Sequence, residues 1–265
     1  MLAFVVSVRP DDVEVASDAL WGLGVVAVEE RSTVDGGVEL WTSLGDVDPA
    51  TIEWPQQWPW RLVEIDETVA DTWREFATPI LIEPDLVVRP AWVAYDAPIG
   101  VTVLHIEPGS TFGMGDHPTT ILSLRALRRL ITAGCSVLDV GCGSGVLAIG
   151  ACVLGAATAV GVDIAPAAVP VTEANALANG VADRVAVSTT DLEDVQGVYD
   201  IVVANILAPT LIALAPDLRR VVAPGGALVI SGVLATAHAH VLEALAPLRV
   251  VATDEQDGWV AVTLR

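Results

Sequence analysis

Lysine is absent from this chain: all thirteen basic residues are arginine, and 34 Asp and Glu bring the formal net charge to −21. Phosphate backbones and anionic membrane surfaces repel such a polyanion, while cationic partners such as a basic protein are attracted. Cysteine is scarce as well. Cys135, Cys142 and Cys152 are an odd set with no CxxC pair, which excludes a disulfide framework and fits a reducing, cytoplasmic setting. No basic n-region precedes the apolar run from Met1 to Arg9, so that run reads as a strand and not as a signal peptide. The uncharged stretch 140–162 is long enough to span a bilayer. It opens, however, on Val140-Gly-Cys-Gly-Ser-Gly145, a poor helix start, and divides into loop, helix, turn and strand. A buried βαβ segment is expected there, and no membrane association.

What is present, across 265 residues of which 53% are hydrophobic, is ample material for a core. Leu2 to Val8 reads as a strand, Pro10-Asp-Asp12 as a helix start, and Val13, Ala16, Ala19 and Leu20 as one helical face. Val25 to Val28 and Val38 to Trp41 flank the turn Asp35-Gly-Gly37, and Arg61 to Ile65 gives a last strand. Pro49, Pro55 and Pro59 leave room for a short helix between 46 and 60. The order β-α-β-β-(short α)-β predicts a small ferredoxin-like α+β domain over residues 1–66. Trp54, Trp58 and Trp60 cluster at those prolines, and a packed loop closing this small core is the favoured reading over a recognition patch. Pro79, Pro84 and Pro90 suggest a linker over 67–90.

The second domain, 91–265, opens with a strand at 101–106 and a glycine-bearing loop. A helix follows with Ile121, Leu124, Leu127 and Ile131 on one face and Arg125, Arg128 and Arg129 outside. Strands at 136–140, 159–163, 184–188, 199–204 and 226–231 then alternate with helices, which predicts a doubly wound α/β fold with a parallel sheet. Leu248 to Ala252 and Trp259 to Leu264 flank Asp254-Glu-Gln-Asp-Gly258, so a C-terminal antiparallel hairpin should finish the sheet.

Val137-Leu-Asp-Val-Gly-Cys-Gly-Ser-Gly145 carries the strongest local signal. A buried strand runs through GxGxG into a helix, where glycine permits a sharp turn and close approach by a ligand. Exposed N–H groups at the helix start favour a carboxylate or phosphate. Gly143-Ser-Gly145-Val-Leu-Ala148 also satisfies the dinucleotide pattern, and Asp163, at the end of the next strand, suits the ribose of either NAD(P) or S-adenosylmethionine. Asp139 before the glycines, the final hairpin, and Asn205 at the carboxyl end of strand 199–204 tip the balance to S-adenosylmethionine.

Val137 to Gly145 with Gly161-Val-Asp163 resembles the class I methyltransferase signature. Phe112-Gly-Met-Gly-Asp-His-Pro-Thr-Thr120, Val203-Ala-Asn-Ile-Leu-Ala208 and Ser231-Gly-Val-Leu234 are similar, more specifically, to the ribosomal protein L11 methyltransferase family (PrmA). The resemblance covers the whole catalytic region, and the N-terminal part agrees in size and pattern more than in motif. It implies a ferredoxin-like domain that recognises the ribosomal protein and a catalytic domain that methylates Lys side chains and the α-amine. Carried over by position, Thr120, Gly141, Gly143, Asp163 and Asn205 contact the cofactor, and Asn205, beside the methyl group, is also the catalytic residue. Met114 and Asp116 depart from the family's usual threonines in the same loop.

Asn205 is followed by Ile206-Leu207-Ala208 and not by the Pro-Pro-aromatic run that stacks a flipped base. Together with the charge, this favours a protein substrate; the leading expectation is a basic ribosomal protein free of the ribosome, methylated by a monomeric enzyme. A different protein or a small molecule as substrate, a docking module without catalysis and a nicotinamide-dependent reductase are the competing readings. His117 before Pro118 reads as part of its loop rather than a general base. Asp139 suits loop support and cofactor contact equally. His105 reads as packed, Cys142 as a small turn filler, and His238 and His240, two apart on a helix, as a poor metal pair, so no metal is expected. The missing lysines would spare an amine methyltransferase from modifying itself, but a compositional swap of Lys for Arg explains them more simply.

Overall fold

A computed structural model describes residues 2–21, 23, 25, 28–33, 36–42, 44, 49, 52, 54–64, 78–83, 85–107, 115 and 117–265. The chain divides into two units, Met1–Ala77 and Thr78–Arg265.

The first unit contains β1 (Leu2–Val8), α1 (Val13–Trp21), β2 (Glu29–Ser32), β3 (Val38–Thr42) and β4 (Trp60–Glu64). Its strands lie in the order β2-β3-β1-β4, with each neighbouring pair antiparallel. Period-two alternation sends Phe4, Val6 and Val8 of β1 to one face, where they pack with Ala16 and Leu20 of α1 and Leu40 of β3. Strand β2 forms at 29–32, and the described ends of the expected strand, Val25 and Val28, lie outside it. The turn that joins Thr33 and Gly37 fixes the register, pairing Ser32 with Val38, so the charged Glu29-Glu-Arg-Ser32 takes the exposed edge. The tryptophans close the core. Trp58 is buried, Phe4 stacks on Trp60 at 4.9 Å and meets Trp54 edge-on at 5.7 Å, and the Trp54 indole donates to the Trp58 carbonyl. Within 46–60, where a short second helix is expected, residues 54–60 form a turn that runs into β4, and most of 46–53 lies outside the described residues.

Residues 78–90 are not a linker. They supply β5 (Ile80–Glu83) and β6 (Leu86–Pro90), which form a three-stranded sheet with β7 (Thr102–Ile106) inside the second unit. Pro79 and Pro90 stand at strand ends, where a missing N–H costs little, while Ile82, Leu86 and Val88 are buried. Next come α2 (Pro118–Leu130), β8 (Ser136–Val140), α3 (Val146–Val153), β9 (Thr158–Val162), α4 (Ala168–Ala178), β10 (Val185–Ser188), β11 (Tyr199–Asn205), α5 (Ala208–Ala213), α6 (Ala215–Arg220), β12 (Val222–Leu234), α7 (Ala239–Ala244), β13 (Val250–Gln256) and β14 (Trp259–Leu264). The seven-stranded sheet has the order β10-β9-β8-β11-β12-β14-β13. Its first five strands are parallel, and β14 and β13 join antiparallel. The expected hairpin therefore ends the sheet, and the stretch 140–162 forms loop, helix and strand. No described helix is long and apolar enough to cross a membrane.

Both faces of this sheet are covered. Val137, Ile201, Val203 and Val229 pack with residues of α2, α3 and β7, whereas Leu138, Val140, Val202 and Ala204 pack with residues of α5, α6 and α7. A parallel sheet buried on both sides needs such continuous apolar strands. Arginine serves this unit as a multiple donor. Arg184 donates to the Cys152 and Ala156 carbonyls, Arg219 to Ala244 and Ala246, and Arg220 to Leu192, Glu193 and Val195. A planar guanidinium fork spans several acceptors that an ammonium would not, a physical reason for Arg at these sites.

Leu138 is wholly buried in the central strand. Leu138→Ala should cost about 2–5 kcal/mol in urea unfolding; a loss below about 1 kcal/mol would contradict this placement of the core.

Candidate active site

Between β8 and α3 the backbone reverses within five residues. Gly141, Gly143 and Gly145 take φ of +73°, +52° and +78°. The two outer positions are also crowded. A Cβ on Gly141 would lie 2.4 Å from Ile206 Cγ2, and one on Gly145 would lie 2.6 Å from Thr172 Cγ2. Only glycine satisfies both conditions. The polar backbone groups of the loop are paired in several directions. Gly141 and Cys142 donate to the Val162 carbonyl, Gly143 donates to Asp163 Oδ2 at 2.8 Å, and Gly145 donates to the Cys142 carbonyl. The Thr172 hydroxyl donates to the Gly143 carbonyl at 3.1 Å, and Asn175 Nδ2 donates to the Ser144 carbonyl at 2.9 Å.

Asp163 follows β9, at the same sheet edge. Its Oδ1 accepts from the Ala165 N–H at 2.9 Å, so each carboxylate oxygen is held by one backbone donor and keeps further acceptor capacity. Asp139 is the buried acid. Strand alternation puts it on the face of Val137, beside Gly161 and Val203 in register. Its Oδ2 accepts from the Ala148 N–H at 3.0 Å, which ties the first turn of α3 to β8, and its Oδ1 is buried with no hydrogen-bond partner. Burial pushes this carboxyl up to about 7; the Ala148 N–H opposes the rise and the Asp163 charge adds to it.

Asn205 ends β11 on the face of Val203, which turns it toward α2. Its Nδ2 donates to Thr120 Oγ1 at 3.5 Å, a long contact, and Thr120 is fully buried in the first turn of that helix. Two expected residues more than 80 positions apart in sequence thus meet. His117 caps α2: its Nδ1 accepts from the Thr119 N–H and lies 2.7 Å from the Thr119 hydroxyl, its carbonyl accepts from the Thr120 N–H, and its ring meets Trp259 edge-on. Ser231 pairs in register with Asn205 and donates to the Val260 carbonyl, joining this corner to β14. Met114 and Asp116 lie outside the described residues.

The remaining candidates are structural. The Cys142 side chain is buried against the space a Gly161 Cβ would need, and burial drives its thiol pKa upward, away from the thiolate. His105 on β7 pairs with Arg89 on β6, and burial, with the Arg89 charge second, lowers its pKa. His238 bonds the Ala235 carbonyl just before α7. Among the described residues one acid group, Asp191, Glu193 and Asp194, is close enough to share an ion, but all three are exposed. Sequence reasoning missed the α4 residues Thr172 and Asn175. Their signal was present: Thr and Asn three residues apart, on one helical face of an Ala- and Val-rich stretch. It also missed Ile164, an apolar side chain left 84% exposed beside Asp163.

This sheet order, with its antiparallel end, a glycine loop after β8 and an acid after β9, defines the class I methyltransferase fold. A crystal structure of a ribosomal protein L11 methylase from Lactobacillus delbrueckii subsp. bulgaricus matches with TM-score 0.66 at 30% identity, covering 72% of this chain and 98% of that one. Residues 47–265 match the family model described as Ribosomal protein L11 methyltransferase (PrmA). A protein of that name from Symbiobacterium thermophilum is 39% identical over 238 residues, 88% of this chain and 75% of the relative. Another from Geobacter sp. (strain M21) is 45% identical over 206 residues, 76% and 67% of the two chains. The chain belongs to the ribosomal protein L11 methyltransferase family.

Because folding raises the Asp139 pKa from 3.8 to about 7, its neutral form stabilises the ligand-free protein fully below about pH 4, and that contribution is lost as pH rises through 7. Urea unfolding of wild type and Asp139→Asn should show the wild type losing ground by roughly 1.4 kcal/mol per pH unit between about 4 and 7. A difference that stays flat across that window would contradict the raised pKa.

Proposed function

We propose that this chain transfers methyl groups from S-adenosylmethionine to amines of ribosomal protein L11, Lys side chains and the α-amine included. The observation that carries the reading is the meeting of Asn205 with Thr120 at the sheet edge that also holds Asp163 and the glycine loop. The residues suit the cofactor. Asp163 keeps acceptor capacity for ribose hydroxyls, the positive φ of Gly141 and Gly143 gives a tight backbone turn that a ligand can approach, and the partnerless Asp139 Oδ1 suits a cationic head group. Thr120 completes the set beside Asn205.

S-adenosylmethionine supplies a sulfonium-bound methyl that is already activated, so the protein's task is alignment. Asn205 orients the incoming nitrogen. The nitrogen must be neutral, which is harder for Lys, with a pKa of about 10.4, than for an α-amine at about 7.7–8.0. Desolvation in the cleft favours the neutral form. His117 is committed to capping α2, so proton release runs to water and not through a strong base.

The sheet order β2-β3-β1-β4 with α1 on one face supports a ferredoxin-like reading of the first unit, and substrate recognition as its role. A net charge of −21 favours a basic protein free of the ribosome over nucleic acid. A cytoplasmic monomer suffices for this chemistry.

Incubation with isolated L11 and methyl-labelled S-adenosylmethionine should label L11. Asn205→Ala should lower kcat by roughly 10²-fold, the scale of a lost alignment. Wild-type turnover in that variant, or no label on L11, would refute the reading. Removal of residues 1–77 should abolish labelling of L11 while the remaining unit still binds S-adenosylhomocysteine; undiminished labelling would remove the first unit from substrate recognition.

A further inference from the structure

Thr172, Asn175 and Asn179 share one face of α4 and its C-cap, spaced three and four residues apart. The two asparagines do nearly the same thing on β7 and the residue after it. Asn179 Oδ1 accepts from the His105 N–H at 2.9 Å and its Nδ2 donates to the His105 carbonyl at 2.7 Å. Two residues on, Asn175 Oδ1 accepts from the Glu107 N–H at 2.9 Å and its Nδ2 donates to the Glu107 carbonyl at 2.8 Å. Each amide thus copies a strand backbone and pairs with β7 on the side away from β6. Their second donors differ. Asn179 spends it on the Asn175 carbonyl, within its own helix, and Asn175 spends it on the Ser144 carbonyl in the glycine loop.

We propose that Asn175 is a positioning residue for methyl transfer: by gripping Glu107 and Ser144 with one buried amide, it sets the glycine loop against the strand from which the chain runs on to Thr120. This inference rests on the functional reading above. Asn175 is 3% exposed, and both of its N–H groups and its oxygen are engaged at 2.8–2.9 Å. Neighbouring Thr172 holds the preceding carbonyl, that of Gly143, so α4 fixes two successive peptide planes of the loop. The Gly143 N–H in turn reaches Asp163. A shift of the Ser144 carbonyl therefore propagates to both the tail and the ribose ends of the site. Losing the Asn179 contacts opens the same seam but leaves the loop alone, which makes Asn179 a matched control for mere structural support.

The test compares Asn175→Ala with Asn179→Ala for melting temperature, kcat, KM for S-adenosylmethionine and calorimetric affinity for S-adenosylhomocysteine. Both should lose stability to a similar degree. Asn175→Ala should also raise KM for S-adenosylmethionine roughly tenfold and weaken S-adenosylhomocysteine in parallel, with Asn179→Ala within about twofold of wild type. If Asn175→Ala does not fold, Asn175→Ser, which keeps one donor, is read in the same way. Equal kinetics for the two positions, or wild-type KM and kcat at 175, overturn the inference and leave the functional reading intact. Failure of the wild type to bind S-adenosylhomocysteine overturns both.

Discussion

The reversal of the chain between β8 and α3 is the constraint on which the rest of the second unit depends. Five residues must leave one buried element and enter another, satisfy their polar backbone groups, and still leave a ligand room to approach. Positive φ at three glycines makes the turn possible, and the surroundings make it unique. Ile206 closes on Gly141 and Thr172 on Gly145, filling space that a side chain there would have taken, and the loop's own Cys142 fills the space beside Gly161 of β9. The hydrogen bonds follow the same plan: β9 takes the first two N–H groups, Asp163 the third, and α4 the Gly143 and Ser144 carbonyls. A loop held by this many bonds is set in place before any ligand arrives, which suits a reaction that needs alignment more than acid–base chemistry.

The second half of the site is brought to that loop by strand alternation and by α2. Asp139 and Asn205 lie on the same sheet face because the register pairs Asp139 with Val203, two residues before Asn205. On the same face, α2 delivers Thr120. The position of α2 is fixed at its start by the His117 cap and along its length by arginines: Arg125 reaches the Ile82 carbonyl and Gln256, Arg128 reaches Asp85, and Arg129 reaches Asp254. Half-exposed ion pairs such as these contribute little individually to stability. Their value lies in tying α2 at once to the β5–β6 hairpin and to the sheet's antiparallel edge. The strand pair 80–90 thus belongs to the support of the catalytic unit.

Much of this was legible in the sequence, and the reasons are local. The strands of the parallel sheet are continuous apolar runs bounded by turns, and the turn-rich stretch 254–258 marks the closing hairpin, although only Asp257-Gly258 makes the turn and β13 runs on to Gln256. The glycine loop and the acid after β9 were readable because backbone geometry and ligand chemistry demand particular residues there. What could not be read depends on distance in sequence. The Thr120–Asn205 contact spans 85 positions, and spacing alone does not report it; resemblance to a family supplied that pair. The α4 stripe was passed over because Thr and Asn on a helix ordinarily face water, and only the fold reveals that β7 and the glycine loop stand opposite them. In the first unit a preference for apolar residues misplaced β2, since an edge strand takes its register from its turn. The prolines at 79, 84 and 90 suggested a linker because proline marks strand ends and linkers alike.

The central claim is that one sheet edge holds the nucleoside and aims its carbon at a nitrogen. A crystal structure with S-adenosylhomocysteine tests it most directly. The account predicts ribose hydroxyls on Asp163, the amino acid tail over residues 141–145, and the sulfur facing the Asn205 side chain. A nucleoside seated elsewhere, or a nicotinamide dinucleotide bound in its place while S-adenosylhomocysteine leaves no density, would contradict it.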